Sequence, residues 1–139
     1  MEIFNYEHMD IIFIIGLPGS GKTHLGNKIR SETGYKFIDD PFSFNEIKES
    51  ILKSENLIIS DPHLCNPKVL KKAVEKISRI NPLYKFRYYY FENDAIKCVN
   101  NVSYRNDGHK AVDEFIRHMS KIYKIPSGVT EIKIWQNER

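Results

Sequence analysis

A chain of 139 residues, 41% hydrophobic and 28% charged, has the size and composition of one domain with a buried core, so a single domain over residues 1–139 is expected. Its net charge of +3, from 21 basic and 18 acidic residues, is too mild to argue for a nucleic-acid partner by itself. The two cysteines, Cys65 and Cys98, lack C-x-x-C spacing and matching histidines, which argues against a zinc site or disulfide framework and fits a reducing, cytoplasmic setting.

Glu2, Glu7 and Asp10 precede an apolar run of only five residues, Ile11 to Ile15, so neither a secretory leader nor a membrane span is expected. That run reads as a central strand covered on both faces. Next comes GLPGSGKT, residues 16 to 23, in a stretch of eleven positions holding four of the seven glycines. A helix is expected from about Gly21 to Gly34, with Leu25 and Ile29 inward. Tyr35 to Ile38 reads as a second strand ending at Asp39-Asp40-Pro41. Ser43 and Glu46 have capping-box spacing and open a short helix with Ile47, Ile51 and Leu52 on one face.

Leu57 to Ser60 is a third strand, closing on Asp61-Pro62. Asn66, with Pro67 at the first helical position, starts a helix whose stripe is Val69, Leu70, Ala73, Val74, Ile77 and Ile80. Phe86 to Phe91 is a fourth strand, and Asn93-Asp94 opens a helix with Ile96 and Val99 inside. After Asn106-Asp107-Gly108 a further helix carries Val112, Phe115, Ile116, Met119 and Tyr123. Glu131 to Trp135 alternates and reads as the last strand. Strands alternating with helices predict an α/β fold: a P-loop NTPase with a five-stranded parallel sheet, order 2-3-1-4-5, flanked by helices, and a short lid.

Gly16-x-x-x-x-Gly21-Lys22-Thr23 fits the phosphate-loop pattern G-x-x-x-x-G-K-[ST], with an apolar strand before it and an amphipathic helix after it. The glycines let successive N–H groups face one concavity at a helix N-terminus, where an anion is held. Gly16, Pro18, Gly19, Ser20, Gly21, Lys22, Thr23 and His24 are therefore the candidate ATP-binding segment. Lys22 brings a charge to the terminal phosphates, and Thr23 a hydroxyl to Mg²⁺. No N-K-x-D-like segment reads guanine, and the third strand ends in Asp61 with no glutamate to activate water. These absences leave the small kinases.

The chain resembles the small P-loop kinases that include the kinase domain of phage polynucleotide kinase and the AAA_33-type ATPases. The resemblance runs from Ile11 to about Gly128. It rests on GLPGSGKT, on Asp39-Asp40, on IISDPHLCNPKVLKKAVEKI and on YYYFENDAIKCVNNVSYRN. It implies transfer of the γ-phosphate of ATP to a hydroxyl, with Asp39 as the acceptor-activating carboxylate, Asp40 as its fallback, and Arg105 as a lid arginine over the phosphates. Asp61, at a neighbouring strand end, is the candidate to hold Mg²⁺ through water.

The expected acceptor is a nucleoside, a nucleotide or a polynucleotide 5′ end. The arginine that follows the Asp pair in polynucleotide kinases has no counterpart in Asp39-Asp40-Pro41-Phe42-Ser43-Phe44. The alternative is an ATP-binding or slow ATPase module without a dedicated acceptor. Tyr88 to Phe91 is read as core packing rather than a base-stacking surface. His24, His63 and His109 have no metal-ligand spacing, and neither a membrane nor an obligate protein partner is expected.

Overall fold

In the computed structural model, residues 9–41, 43–104 and 110–136 are described. Every residue of Asp10–Ile15 is buried, and this segment forms strand β1 at the centre of the sheet. β3 (Leu57–Ser60) pairs with it in parallel on one side, Ile11 opposite Leu57 and Ile14 opposite Ser60. β4 (Lys85–Phe91) pairs on the other, from Asp10 opposite Lys85 to Ile15 opposite Tyr90. β2 (Lys36–Asp39) lies outside β3 and β5 (Glu131–Ile132) outside β4, giving five strands in the expected order β2-β3-β1-β4-β5. A run of isoleucines suits a central strand because both of its faces are covered.

Helix α1 (Lys22–Thr33) starts after Gly21, at φ 111, and stops at Gly34, at φ 77, whose N–H donates to the Arg30 carbonyl. These left-handed positions are open to glycine at little cost. Gly26 brings α1 down onto β2: a Cβ there would sit 2.2 Å from the Phe37 ring. α2 (Phe44–Leu52) crosses from β2 to β3. A single 3₁₀ turn, Pro62–Cys65, then leads to α3 (Pro67–Ile80), whose first turn is capped by the Asn66 side chain accepting from the Lys68 N–H. α4 (Ala95–Tyr104) and α5 (Lys110–Ile122) complete the helices.

Five expectations need correction. The last strand stops at Ile132 instead of running to Trp135, because the Ile134 N–H donates to Glu92 Oε2 at 3.0 Å and so leaves the ladder direction. Ser43 is the N-cap of α2, but its hydroxyl makes no capping bond. Leu52 and Ile96 are 65% and 66% exposed: Leu52 is the last residue of α2, and Ile96 lies in the first turn of α4, beyond the end of β4. Tyr90 and Phe91 are core, whereas Tyr88 and Tyr89 are partly exposed, Tyr88 lying in an aromatic row with Phe13 and Tyr90.

Polar groups tie the layers together. At the N-terminal end of the sheet the buried Asp10 carboxylate accepts from the Tyr35 hydroxyl at 2.8 Å, with Arg87 at 3.6 Å. At the other end the Tyr123 hydroxyl donates to the Phe91 carbonyl, with the Ile15 carbonyl at 3.3 Å. That contact joins the end of β4 to the residue before the glycine loop. Among the described residues no helix is long and apolar enough to cross a membrane.

Candidate functional site

The loop between β1 and α1 is shaped from both sides. Gly19 stands at φ +86, and a Cβ on it would lie 2.6 Å from the Cys98 carbonyl and 3.0 Å from Val102 of α4. A Cβ on Gly16 would lie 2.5 Å from the Ser20 hydroxyl. The loop is therefore folded tightly on itself and against α4, leaving no room for side chains at these positions. Cys65 lies beside the loop at Gly16, and burial pushes its thiol pKa up to about 12, so this thiol is a neutral support there.

Lys22 is buried, and its Nζ donates to the Leu17 carbonyl at 3.0 Å. Burial pulls its pKa below the ordinary lysine value, against the opposing influence of Asp40 and Asp39. The Ser20 hydroxyl is buried with no hydrogen-bond partner among the described residues. A buried ammonium, an orphaned hydroxyl and a glycine turn opening a helix are the features of a site for a polyanion. His24 is exposed on the first turn of α1, and its side chain makes no hydrogen bond among the described residues.

Opposite the loop, the Thr23 hydroxyl donates to Asp39 Oδ2 at 2.7 Å, and the Ser60 hydroxyl to Asp39 Oδ1 at 3.1 Å. Both oxygens of Asp39 are thus engaged. The Asp40 backbone adopts φ 48, a left-handed conformation uncommon outside glycine. Partial desolvation, then the neighbouring Asp39 carboxylate, raise the Asp40 pKa, while Lys22 pulls it down. Asp61 caps the 3₁₀ turn, its Oδ1 accepting from the His63 N–H at 2.8 Å and lying 2.7 Å from His63 Nδ1.

Lys22, Asp39, Asp40 and Asp61 thus share one crevice at the C-terminal ends of β1, β2 and β3, as do His63 and Ser60, to which no role is assigned from sequence. The signal for Ser60 is a hydroxyl ending an otherwise apolar strand; His63 offers none. Arg105, the lid candidate, lies outside the described residues, as does Phe42. No cluster of three or more His, Cys, Asp or Glu side chains suited to a metal occurs among the described residues. Mg²⁺ does not need one, since it commonly keeps its waters and takes one or two carboxylates plus substrate phosphates. The Thr23 hydroxyl with Asp39 and Asp61 fits that donor set.

Beside the carboxylates, a cavity of about 270 Å³ opens between α2 and α3, lined by Pro41, Phe44, Ile47, Asp61, Lys72 and Lys76 among others. Lys76 Nζ lies 5.1 Å from the centre of the Phe44 ring. A second cavity, of about 460 Å³, lies between α3 and β4, with Cys65, Lys71, Tyr88 and Tyr90 on its walls.

The strand–glycine loop–helix unit in a 2-3-1-4-5 parallel sheet defines a P-loop NTPase fold. A gluconokinase from Sinorhizobium meliloti 1021 shares it, with a TM-score of 0.58 over 91% of this chain and 82% of that one at 17% sequence identity, a likeness of fold alone. The chain belongs to the family of R277, an uncharacterized protein of Acanthamoeba polyphaga mimivirus, being 33% identical over 119 residues, which span 83% of this chain and 86% of that protein. No known family's profile matches the chain. The resemblance to P-loop kinases is supported at the level of fold, not for the polynucleotide-kinase group in particular.

Proposed function

We propose that the protein is an ATP-dependent phosphotransferase that moves the γ-phosphate of ATP to a hydroxyl of a nucleoside, nucleotide or polynucleotide 5′ end. The observation that carries this reading is the division of labour between Asp39 and Asp40. Asp39 has both oxygens committed to Thr23 and Ser60, the arrangement of a group that holds the metal side of the site. Asp40 lacks such partners among the described residues, and its raised pKa suits a proton acceptor. The base is therefore Asp40, the position that sequence reasoning holds as the fallback to Asp39.

Phosphoryl transfer needs positioning and charge neutralisation more than covalent chemistry. Lys22 and the loop N–H groups hold the β- and γ-phosphates; Thr23, Asp39 and Asp61 would hold Mg²⁺, which would neutralise charge on the phosphates. Asp40 takes the proton of the acceptor hydroxyl. The bond from that oxygen to the γ-phosphorus forms as the bridge to ADP breaks. The cavity between α2 and α3 receives the acceptor. Lys72 and Lys76 on its wall, unpaired with carboxylates among the described residues, favour an acceptor that already carries phosphate over a neutral nucleoside.

The test is transfer of label from γ-labelled ATP to a panel of nucleosides, nucleotides and 5′-hydroxyl oligonucleotides. Label should appear on one phosphate-bearing class, and Asp40→Asn should slow transfer by ~10²–10⁴ with ATP affinity unchanged. ATP binding with no acceptor ever labelled supports the ATP-binding or slow ATPase module instead.

A further inference from the structure

The two flanks of the phosphate loop differ in kind. On the side of β2 and β3 stand the carboxylates Asp39, Asp40 and Asp61. On the side of β4 and β5 lie α4 and the segment that follows β5. There Asn101 of α4 donates from Nδ2 to the Gly19 carbonyl at 3.0 Å and to the Trp135 carbonyl at 2.7 Å. One amide thus fastens the segment after β5 to the glycine loop.

The backbone next to Trp135 is also fixed. Ile134 is buried, and its N–H donates to Glu92, whose carboxylate is paired with Lys97 at 3.0 Å. Yet the Trp135 residue is 70% exposed, the most exposed large apolar residue among those described. An indole left in water on an anchored backbone is a surface with unused capacity for stacking.

The direction of a bound triphosphate follows from the two flanks. Its γ end must face the carboxylates on the β2–β3 side, so the α-phosphate, ribose and base extend toward α4 and residue 135. We propose that Trp135 is a nucleotide-binding residue whose indole stacks on the base of the bound nucleotide; this rests on the reading that residues 16–23 hold a triphosphate. Stacking engages the flat face of a base rather than its hydrogen-bonding edge, and so tolerates different bases. Trp135 then supplies affinity for the base without choosing between adenine and guanine.

Trp135 is the only tryptophan in the chain, so its emission reports on the site directly. The experiment titrates the full chain with Mg·ATP, Mg·GTP and magnesium tripolyphosphate, following fluorescence and heat. ATP and GTP should both change the emission, while tripolyphosphate binds by calorimetry and leaves it unchanged. Trp135→Ala should weaken ATP binding by about 5- to 100-fold, within the ~1–3 kcal/mol of a base–aromatic stack. The same variant should bind tripolyphosphate as the wild type does, which also shows that it is folded, and Trp135→Phe should recover most of the loss. Equal ATP affinity in wild type and Trp135→Ala, or an emission indifferent to ATP, overturns the stacking role while leaving the phosphate site standing. Failure of both ATP and tripolyphosphate to bind the wild type overturns the phosphate site, and the stacking role with it.

Discussion

The Thr23 hydroxyl is bonded to Asp39 Oδ2 at 2.7 Å, linking the first turn of α1 to the last residue of β2. A hydroxyl that gives its proton to a carboxylate turns its lone pairs outward, ready for a cation. Asp39→Asn replaces one acceptor oxygen with an amide donor and removes the charge. Affinity for Mg·ATP should fall at least tenfold, whereas binding of metal-free ATP should change little. Calorimetric titrations with and without Mg²⁺ read this difference, and an equal loss in both overturns the metal-side role.

Lys22 is held at the Leu17 carbonyl with its pKa drawn down by burial. Bound phosphates favour the charged ammonium, so nucleotide binding should raise that pKa and take up protons at alkaline pH. Titration in buffers of different ionisation enthalpy measures the uptake. Lys22→Ala should abolish it and weaken ATP binding at least tenfold, on the order of 1.4 kcal/mol.

Asp40 makes stability and activity oppose each other. Its folded pKa is raised, so between the ordinary carboxylate value and the raised one the native state binds more protons than the unfolded state. Stability therefore falls as pH rises through that window, and above it the ionised carboxylate is destabilising. Asp40→Asn removes this effect, and asparagine tolerates a backbone at φ 48. The variant should melt above the wild type at pH 7, with the gap closing toward about pH 4, while losing transfer activity. Wild-type transfer should decline on acidification at a pH above the usual carboxylate range. A variant less stable at pH 7 contradicts this account.

Glu92 has the opposite sign. Burial pushes its pKa up, but the Ile134 N–H and Lys97 outweigh that and hold it below the ordinary value. Its contribution is complete above the unfolded value and is lost as pH falls through the lowered folded one. Glu92→Ala leaves the Ile134 N–H without its acceptor, a loss of about 1–3 kcal/mol. Chemical denaturation of wild type and variant should show this gap at pH 7 and a smaller one in acid.

Gly26 permits the contact of α1 with β2. Gly26→Ala drives a methyl group into the Phe37 ring, where only 2.2 Å is available. Overpacking of this kind costs roughly 1–3 kcal/mol. Phe37→Leu, which shortens the intruded side chain, should return part of the loss in the double variant, as read from denaturation midpoints.

Features of the fold that depend on neighbouring residues were legible in the sequence. Ile11 to Ile15 declares a central strand, the glycines at 21 and 34 bound α1, and Asn66-Pro67 opens α3 with the expected cap. Contacts across long stretches of chain were not. Glu92 cuts β5 short by capturing an amide 42 residues away, and Asn101 reaches Gly19 across 82. Adjacent carboxylates at 39 and 40 look alike as letters, and the turn in the backbone at Asp40 and the hydroxyls of Thr23 and Ser60 on Asp39 separate their surroundings.

The two outer strands are short: four residues in β2 and two in β5. Exposed strand edges are where sheets of separate molecules zip together. On one border the chain swings away at Asp40, and on the other the captured amide of Ile134 ends the row of free backbone groups. A second copy would find too little ladder on either border to extend. The carboxylate that trims β5 thus also shortens the border with which a second copy could pair.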